Sequence, residues 1–322
     1  MFHYEDAKLR VDTWNRVLEK IHAFFRSRGF IEVHTPLLVA SPGMEPNLDP
    51  LAVTLRTLND GGKDIRAGLI TSPEYSMKKL LGMGFPAIYT LTPVFRNKEV
   101  LGKRWSIEFM MLEWYRQGAD YTVCMEETEA LVNAVMGWEG AWERISYVDA
   151  FEKVHGFVPS EETENRTRGI GKDAKIVNAE TDPLHEVIDS VFFATVLPNI
   201  EHGERYFLYQ FPVPCASLSK VSADGRSAER FEAYVGELEL CNAFTELVDA
   251  EEQRRRFLAE ADERRVLGKE VFPVDEELLA RLSSVASPTY GNALGIDRLV
   301  MLAMGANDID SIHVFPPSQR FG

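Results

Sequence analysis

The chain has 322 residues, of which 45% are hydrophobic and 26% are charged. This composition is typical of a folded globular protein and excludes a disordered chain or a fibre. Acidic residues outnumber basic ones by 50 to 35, and the net charge of −15 disfavours a nucleic acid as the main partner. The three cysteines lie far apart in sequence, which disfavours a disulfide framework or a structural zinc site. No apolar segment predicts a signal sequence or a membrane span, so we expect a cytoplasmic protein without membrane association.

The N-terminal part of the chain predicts a helix, a strand and a second helix. Apolar residues recur at helical spacing from 11 to 28, and Gly29 predicts the C-terminus of this helix. Residues 30–36 predict a strand that is broken by its proline. The tripeptide Ser72-Pro73-Glu74 predicts the start of the second helix, with the serine as N-cap and the proline at the first helical position.

A long antiparallel hairpin is predicted from two strands, 87–96 and 108–116, joined by a polar loop. Arg96 ends the first strand, where a guanidinium can clamp a phosphate in a bidentate manner. Alternation along the second strand places Glu113 on one face with Phe109, Met111 and Tyr115. A carboxylate in such surroundings either meets a cation or an amine, or is an ordinary charge on an exposed sheet face.

The remaining elements continue this mixture of helices and strands. Further helices are predicted at 121–136, 183–197, 249–267, 275–285 and 296–304, and further strands at 206–211, 227–240 and 290–295. Residues 160–182 are polar and rich in turn formers, which predicts a surface insertion. The order of elements predicts an α+β fold, an antiparallel sheet flanked by helices, in a single domain that spans residues 1–322.

Two further segments carry candidate ligands for a nucleotide. Glu239 and Glu246 differ in strand parity, so a bulge near Asn242-Ala243 would be needed to bring both carboxylates together around Mg²⁺ and a triphosphate. The alternative is two solvated surface acids. Residues 291–298 predict a glycine-rich strand that leads into a helix with Arg298 in its first turn. This arrangement suits a phosphate but is also common in ordinary packing.

Together these segments resemble the three motifs of class II aminoacyl-tRNA synthetases, in the same order. The first helix with its strand resembles motif 1, the dimer-forming element, residues 95–116 resemble motif 2, and residues 291–298 resemble motif 3. The stretches 71–75, 108–116 and 229–232 resemble the lysyl-tRNA synthetase branch, and the resemblance covers nearly the whole chain. It implies the α+β catalytic domain of that class, and a homodimer.

The size of the chain and one substitution favour a particular relative of this branch. The first helix is predicted to begin near residue 11 and the chain ends shortly after motif 3, so we expect no anticodon-binding domain and no tRNA as a ligand. Such a free-standing catalytic core resembles the elongation factor P lysine lysyltransferase family. Ala293 stands where lysyl-tRNA synthetases usually carry glycine, as it does in the lysyltransferases. Its methyl group would narrow the amino-acid pocket and favour a β-amino acid over α-lysine.

The resemblance implies a two-step reaction that consumes ATP and uses Mg²⁺. Lysine, with (R)-β-lysine preferred, is activated as an aminoacyl-adenylate and is then transferred to the ε-amine of a lysine on elongation factor P. The residues that the resemblance assigns to the amino acid are Ser72, Pro73, Glu74, Tyr115, Glu246 and Ala293. Those that it assigns to ATP are Arg96, Asn97, Lys98, Glu99, Ser106, Glu239, Leu240, Gly295 and Arg298. Among these, Arg96 and Arg298 would act in catalysis, and Glu239 and Glu246 would hold the metal; Glu113 receives no role.

The motif 2 loop departs from the family pattern. Family members usually read Arg-Asn-Glu, whose acid contacts the adenine amino group, whereas this chain has Lys98 in that position and Glu99 one residue later. Residues 105–107, Trp-Ser-Ile, replace the usual His-Asn-Pro. Glu99 takes over the role of the acid if the loop shifts its register; otherwise ATP recognition is altered.

Two alternatives to the lysyltransferase therefore stay open. One is a free-standing amino-acid-activating ligase that serves a carrier protein or makes a small amide. The other is a non-catalytic, synthetase-like regulatory subunit that binds an amino acid. The retention of Arg96, Glu239, Glu246 and Arg298 argues against the regulatory subunit, because a protein without catalysis has no need of phosphate clamps.

Overall fold

The computed structural model describes residues 4–57, 63–98 and 103–320. The helices, numbered in chain order, are α1 (Tyr4–Ser27), α2 (Glu74–Gly82), α3 (Tyr121–Met136), α4 (Tyr147–His155), α5 (Glu164–Asp173), α6 (Leu184–Val191), α7 (Ala250–Val266), α8 (Glu276–Leu282), α9 (Ile296–Met304) and α10 (Pro317–Arg320). The strands are β1 (Ile31–Glu32), β2 (Leu38–Val39), β3 (Ala52–Arg56), β4 (Asp64–Leu69), β5 (Ala87–Phe95), β6 (Glu108–Gln117), β7 (Glu143–Ser146), β8 (Arg205–Pro212), β9 (Ser227–Val235), β10 (Leu238–Thr245) and β11 (Thr289–Gly295). In these described ranges no helix is both long and apolar enough to cross a membrane.

The chain divides into two compact units. The first unit comprises Met1–Gly118, Ala130–Glu139 and Val248–Gly322, and the second comprises Ala119–Glu129 and Gly140–Leu247. Each unit is built around β-strands with helices packed on them, which confirms the predicted α+β class.

The sheet of the first unit contains the predicted hairpin. β5 and β6 pair antiparallel from Ala87 opposite Arg116 to Phe95 opposite Glu108. β11 pairs antiparallel with the other edge of β6, and the short β1 pairs parallel with β5. The hairpin prediction is therefore confirmed, and its strands place Arg96 directly after the end of β5.

The two faces of this sheet have different partners. On one face Trp114 lies 5.4 Å from the ring of Phe25 in α1, and Phe25 stacks on Tyr89 at 4.7 Å. On the opposite face Tyr115 packs in one apolar cluster with Met77 of α2. Because successive side chains of a strand point to opposite faces, the odd-numbered residues of β6 all lie on the α2 face.

A small second sheet and the segment before it complete the first unit. β4 pairs antiparallel with both β2 and β3. The segment that precedes β3 is fixed by the guanidinium of Arg264, a buried residue of α7 that donates hydrogen bonds to the carbonyl oxygens of Glu45 and Leu48 at 2.8 and 2.7 Å. Neither this sheet nor this clamp was predicted from the sequence.

The second unit has its own sheet and core. β8 pairs parallel with β7 and antiparallel with β9, which in turn pairs antiparallel with β10. Helices α4 and α6 supply much of the apolar core of this unit. Tyr147 and Phe192 stack there with ring centroids 3.8 Å apart.

Several predicted boundaries were wrong, each for a local reason. Residues 227–240 form two strands rather than one, because Gly236 adopts a left-handed conformation (φ 58°) and turns the chain back on itself. Residues 183–197 form α6 only as far as Val191, followed by a π-helical turn and a 3₁₀ turn. The segment 160–182 is not an irregular insertion, since α5 lies within it and buries Thr167 and Gly171.

The N-terminal elements also differ from their predictions. Helix α1 begins at Tyr4, seven residues before the predicted start, and Gly29 follows it in the left-handed conformation expected of a helix end. The predicted strand 30–36 is reduced to β1. Helix α2 begins at Glu74 with Pro73 at the N-cap, so Ser72 lies one residue before the cap.

Candidate active site

The start of α2 places three of the predicted amino-acid ligands next to the sheet. Ser72 accepts a hydrogen bond from the backbone N–H of Glu74 at 3.0 Å and donates one from its hydroxyl to Oε1 of Glu113 at 2.6 Å. Pro73 is buried beside them. Although Ser72 is not the N-cap residue, its hydroxyl ties the first turn of the helix to β6.

Glu113 is the centre of this group. It is only 1% exposed, so the alternative of an ordinary surface charge is wrong. The hydroxyl of Tyr115 donates to its Oε2 at 2.8 Å, while Ser72 donates to its other oxygen. Burial and, to a lesser extent, the nearby Glu74 carboxylate raise the pKa of the Glu113 carboxyl to about 8, against the opposing effect of the two hydroxyl groups.

A buried ion pair stands beside Glu113. Lys78, on the next turn of α2, lies with its Nζ 2.5 Å from Oε1 of Glu74, and both side chains are almost fully buried. This lysine compensates one carboxylate, but burial still holds Glu113 near neutrality at pH 7. An ammonium group that entered here would meet acceptor oxygens already aligned by Ser72 and Tyr115.

Ala293 lies on the same face, in β11. Its side chain is partly buried against the apolar cluster of Ile70, Val94 and Met111. The structure thus places Ala293 in the same layer as Glu113, on the α2 side of the sheet. A methyl group at this position restricts the space next to the carboxylate.

The end of β5 carries the candidate phosphate clamp. The guanidinium carbon of Arg96 lies 5.2 Å from the centre of the Phe109 ring. The next residue, Asn97, is exposed, and its backbone N–H donates to the carbonyl of Asp49 at 2.6 Å. Lys98 adopts a left-handed conformation (φ 59°) with its Nζ 3.6 Å from a carboxylate oxygen of Asp49. Lys98 thus has a carboxylate partner in the segment before β3.

The rest of the motif 2 loop is described only in part. Glu99, the residue predicted to replace the missing adenine ligand, falls outside the described residues. Ser106 is buried at 4% exposure, and the neighbouring Trp105 is 47% exposed. The Trp105 ring lies 5.9 Å from the guanidinium carbon of Arg298.

Gly295 and Arg298 occupy the start of α9, as predicted. Gly295 is the N-cap of this helix, and a side chain built at this position would first meet Cδ of Arg298 at 3.7 Å, an ordinary contact distance. Arg298 is partly exposed in the first turn. A helix N-terminus together with an arginine suits a phosphate group, because both present positive charge.

The second unit carries the two candidate metal ligands. β10 contains a bulge between Glu239 and Cys241, so the predicted position at Asn242-Ala243 was wrong by two residues. The bulge inserts Leu240, which is buried, and shifts the alternation so that Glu239 and Glu246 share parity. Glu246 is 2% exposed and Glu239 is partly buried, so solvated surface acids are the wrong description.

These two carboxylates suit Mg²⁺ by their chemistry. Mg²⁺ in nucleotide enzymes is usually held by one or two carboxylates together with substrate phosphates and water. Within the described ranges no three or more histidine, cysteine, aspartate or glutamate side chains gather as a metal site. A metal at Glu239 and Glu246 would therefore depend on the phosphates for its remaining ligands.

Two buried acids of the first unit escaped the sequence analysis. Glu45, in the segment fixed by Arg264, and Glu260, in α7, each have a buried Oε2 without a hydrogen-bond partner in the described structure. Both lie within electrostatic range of Glu74. The sequence offered no signal for either residue, since each is one acid among 50 and neither belongs to a recognised motif.

Comparison with known proteins agrees with this geometry. The family model for class II tRNA synthetases (D, K and N) matches residues 2–319. A relative from Avibacterium paragallinarum is 36% identical over 301 residues, which cover 93% of this chain and 92% of the relative. Relatives from Proteus mirabilis and Vibrio cholerae are 36% and 37% identical, over 94% and 93% of this chain and 93% of each relative. All three bear the name elongation factor P–(R)-β-lysine ligase.

The resemblance found in the motifs is thus confirmed over almost the full length of the chain. The chain belongs to the class II tRNA synthetase family, in the branch that contains the elongation factor P–(R)-β-lysine ligases.

Proposed function

We propose that this ligase activates lysine, preferably (R)-β-lysine, with ATP and transfers it to the ε-amine of a lysine on elongation factor P. The names of its relatives support the acceptor and the amino acid. The observation that carries the proposal is the buried Glu113 carboxyl, held between the hydroxyl groups of Ser72 and Tyr115. Such a group, in a site that contains other acids, is suited to a substrate that carries an ammonium group at the end of an apolar stem.

The first step forms the adenylate. A carboxylate oxygen of the amino acid attacks the α-phosphorus of ATP, a new P–O bond forms, and the bond to pyrophosphate breaks. In this assignment Arg96 neutralises the α-phosphate as charge builds on its oxygens, and Arg298 holds the γ-phosphate that leaves with pyrophosphate. Glu113 and Glu74 fix the amino acid by its ammonium groups. Catalysis then comes from alignment and from charge stabilisation, without a covalent enzyme intermediate.

The second step transfers the aminoacyl group. The neutral ε-amine of the acceptor lysine attacks the carbonyl carbon of the adenylate, a C–N bond forms, and AMP leaves as the C–O bond to phosphate breaks. The nitrogen loses one proton, which passes to solvent. We assign Mg²⁺ to Glu239 and Glu246, where it would neutralise part of the charge of the phosphates.

We propose further that the protein works in the cytoplasm, as a homodimer and without tRNA. The similarity of α1 and β1 to motif 1 supports the dimer, and the net charge of −15 supports the absence of a nucleic-acid ligand. Light scattering of the purified protein measures the oligomeric state directly. A monomer at micromolar concentration would contradict the dimer.

The reaction is tested by pyrophosphate exchange and by transfer. We expect Mg²⁺-dependent exchange of labelled pyrophosphate into ATP with α-lysine and (R)-β-lysine, and none with other amino acids. Incubation with elongation factor P should then add the mass of one lysine residue to that protein. Exchange with lysine but no transfer to elongation factor P would indicate that the acceptor is another carrier. If the folded protein showed no exchange, the regulatory subunit would be the remaining explanation.

A further inference from the structure

One oxygen of the Glu45 carboxyl, Oε2, is buried and has no hydrogen-bond partner within the described structure. As an anion it lacks a donor at that oxygen, and as a neutral acid a proton on that oxygen would lack an acceptor. A buried polar group in this condition costs free energy in either form, unless a ligand completes its hydrogen bonds.

The charges around Glu45 indicate what kind of ligand fits. Burial raises the pKa of the Glu45 carboxyl, and the negative charge of Glu74 adds to this effect, while Arg96 and the backbone N–H groups of residues 44 and 45 oppose it. Burial also raises the pKa of the Glu260 carboxyl to about 8, with contributions from Glu45 and Glu74. Three carboxyl groups thus lie within electrostatic range of one another, and a cation that binds there would stabilise their ionised forms.

The cation expected here is an ammonium group, because the proposed substrate carries one. In residues 4–57, 63–98 and 103–320 no three acidic, histidine or cysteine side chains are arranged to hold a metal by protein ligands alone. The backbone packs closely against this carboxyl: a side chain on Gly43 would lie 2.7 Å from Oε2 of Glu45 and 3.0 Å from the hydroxyl oxygen of Thr71. Only glycine allows so close an approach of the backbone to the Glu45 carboxyl.

The positions of Arg96 and Glu113 orient the ligand. The Arg96 guanidinium lies over Phe109, which is four residues, or about 14 Å, from Glu113 along β6. A diamino acid whose carboxylate faces Arg96 and whose distal amine faces Glu113 spans this distance together with its hydrogen bonds. Its other amino group, on the carbon next to the carboxylate or one carbon further, is then nearer to Arg96, and Glu45 is within electrostatic range of both Arg96 and Glu74.

We infer that Glu45 binds the amino group of the substrate that is nearer to the reacting carboxylate, and that it does so together with Glu74. Glu113 receives the distal amine. This inference rests on the proposed function, and it assigns a specificity role to a residue outside the three synthetase motifs. Glu260 does not contact the ligand in this assignment.

The inference is tested by pairing one variant with ligands that differ by one amino group. Binding of α-lysine, (R)-β-lysine and 6-aminohexanoate is measured by titration calorimetry for the wild type and for Glu45→Gln. The last ligand keeps the carboxylate and the distal amine but has no amino group near the carboxylate. We expect Glu45→Gln to weaken the binding of both lysines at least tenfold and the binding of 6-aminohexanoate less than twofold.

Two further variants make the test specific. Glu113→Gln should weaken the binding of all three ligands, because each carries the distal amine. Glu251 is an exposed acid at the start of α7, and Glu251→Gln should leave the binding of all three unchanged. Equal weakening of 6-aminohexanoate and the lysines by Glu45→Gln, or no weakening at all, would overturn the inference. If the wild type bound none of the ligands, the proposed function itself would be wrong.

The fold is monitored by thermal melting. Glu45→Gln removes a buried carboxyl without a partner, so we expect a melting temperature no lower than that of the wild type. If this variant does not fold, Glu45→Asp decides the question, since it keeps the charge but shortens the reach by one methylene. A loss of affinity for the two lysines alone would support the assignment. A loss of affinity that extends to 6-aminohexanoate would refute it.

Discussion

Glu113 of β6 and Ala293 of β11 lie directly opposite each other in an antiparallel ladder. Opposite residues of such a ladder have Cβ atoms about 5 Å apart on the same face of the sheet. The methyl group of Ala293 therefore limits the space next to the carboxyl that we assign to the distal amine. The alanine at the position where lysyl-tRNA synthetases usually carry glycine thus has a defined place beside Glu113.

Removing this methyl group should change the choice of amino acid. For Ala293→Gly we expect the ratio of exchange rates, α-lysine to (R)-β-lysine, to rise by about 5- to 30-fold, since one carbon in a pocket is worth about 1–2 kcal/mol. Glycine inside a strand also costs about 0.5–1 kcal/mol of folding free energy, so rates are compared below the melting transition. An unchanged ratio would mean that Ala293 does not shape the site.

The raised pKa of Glu113 predicts a pH dependence of binding. With a pKa of about 8, the carboxyl is neutral at pH 6, so binding of an ammonium group must expel a proton. Affinity for α-lysine should therefore rise roughly 30- to 100-fold from pH 6 to pH 8 and level off above that. Calorimetry in buffers of different ionisation enthalpy counts the protons released.

Two variants identify the group responsible for this titration. Glu113→Gln should bind more weakly at pH 8 and lose most of the pH dependence. Glu260→Gln removes another carboxyl whose pKa is about 8, and this variant should retain most of the pH dependence. The reverse result would show that Glu260, and not Glu113, releases the proton.

Gly295 offers a test of nucleotide binding that leaves the fold intact. A methyl group there would meet the side chain of Arg298, with Cδ at 3.7 Å and Cγ at 3.9 Å, both ordinary contact distances, so Gly295→Ala should fold normally. If adenosine packs against this backbone, the same methyl group should raise the KM for ATP at least tenfold in the exchange assay. Gly169→Ala, in α5, has open space around its Cβ and serves as the control. Wild-type kinetics for Gly295→Ala would remove this residue from the ATP site.

The second unit contains an acid whose titration should limit stability. Burial raises the pKa of the Asp189 carboxyl from 3.8 to about 7, against the opposing charge of Arg230. The folded state therefore holds its proton more tightly than the unfolded state, and stability falls as pH rises from about 4 to about 7. Asp189→Asn should raise the free energy of unfolding by about 2–4 kcal/mol at pH 8 and by less than about 1 kcal/mol at pH 4.

Chemical denaturation at the two pH values measures this difference. The hydroxyl of Tyr147, which donates to Oδ1 of Asp189 at 3.1 Å, keeps an acceptor in the asparagine variant. Asp173→Asn, an exposed position at the end of α5, should show no such pH dependence. If Asp189→Asn raised the free energy of unfolding equally at both pH values, the assigned pKa would be contradicted.

The elements that the sequence predicted correctly are those whose signals are local. Helices α3 and α9 begin and end where their periodicity predicts, and the alternation of β6 places Glu113 and Tyr115 on one face. The turn at Gly236 was missed because a single glycine inside an alternating pattern does not distinguish a turn from a continuous strand.

The pocket chemistry could be predicted only in part. Motif residues such as Ser72 and Arg298 were found because their spacing is characteristic. Glu45 and Glu260 are separated from Glu74 by 29 and 186 residues, and only the folded chain brings their charges into range. The burial that sets the pKa values of these acids is a property of the packing and is absent from any local pattern.

The contact between Asp49 and Asn97 has a consequence for how the substrates influence each other. It joins the first residues of the motif 2 loop to the segment that carries Glu45, and Arg264 fixes that same segment through its carbonyl groups. A nucleotide that reorders the loop would therefore act on the segment to which we assign the amino group of the substrate. By thermodynamic linkage, any gain in lysine affinity caused by ATP would equal the gain in ATP affinity caused by lysine, so a coupling carried by this short connection would be equal in both directions.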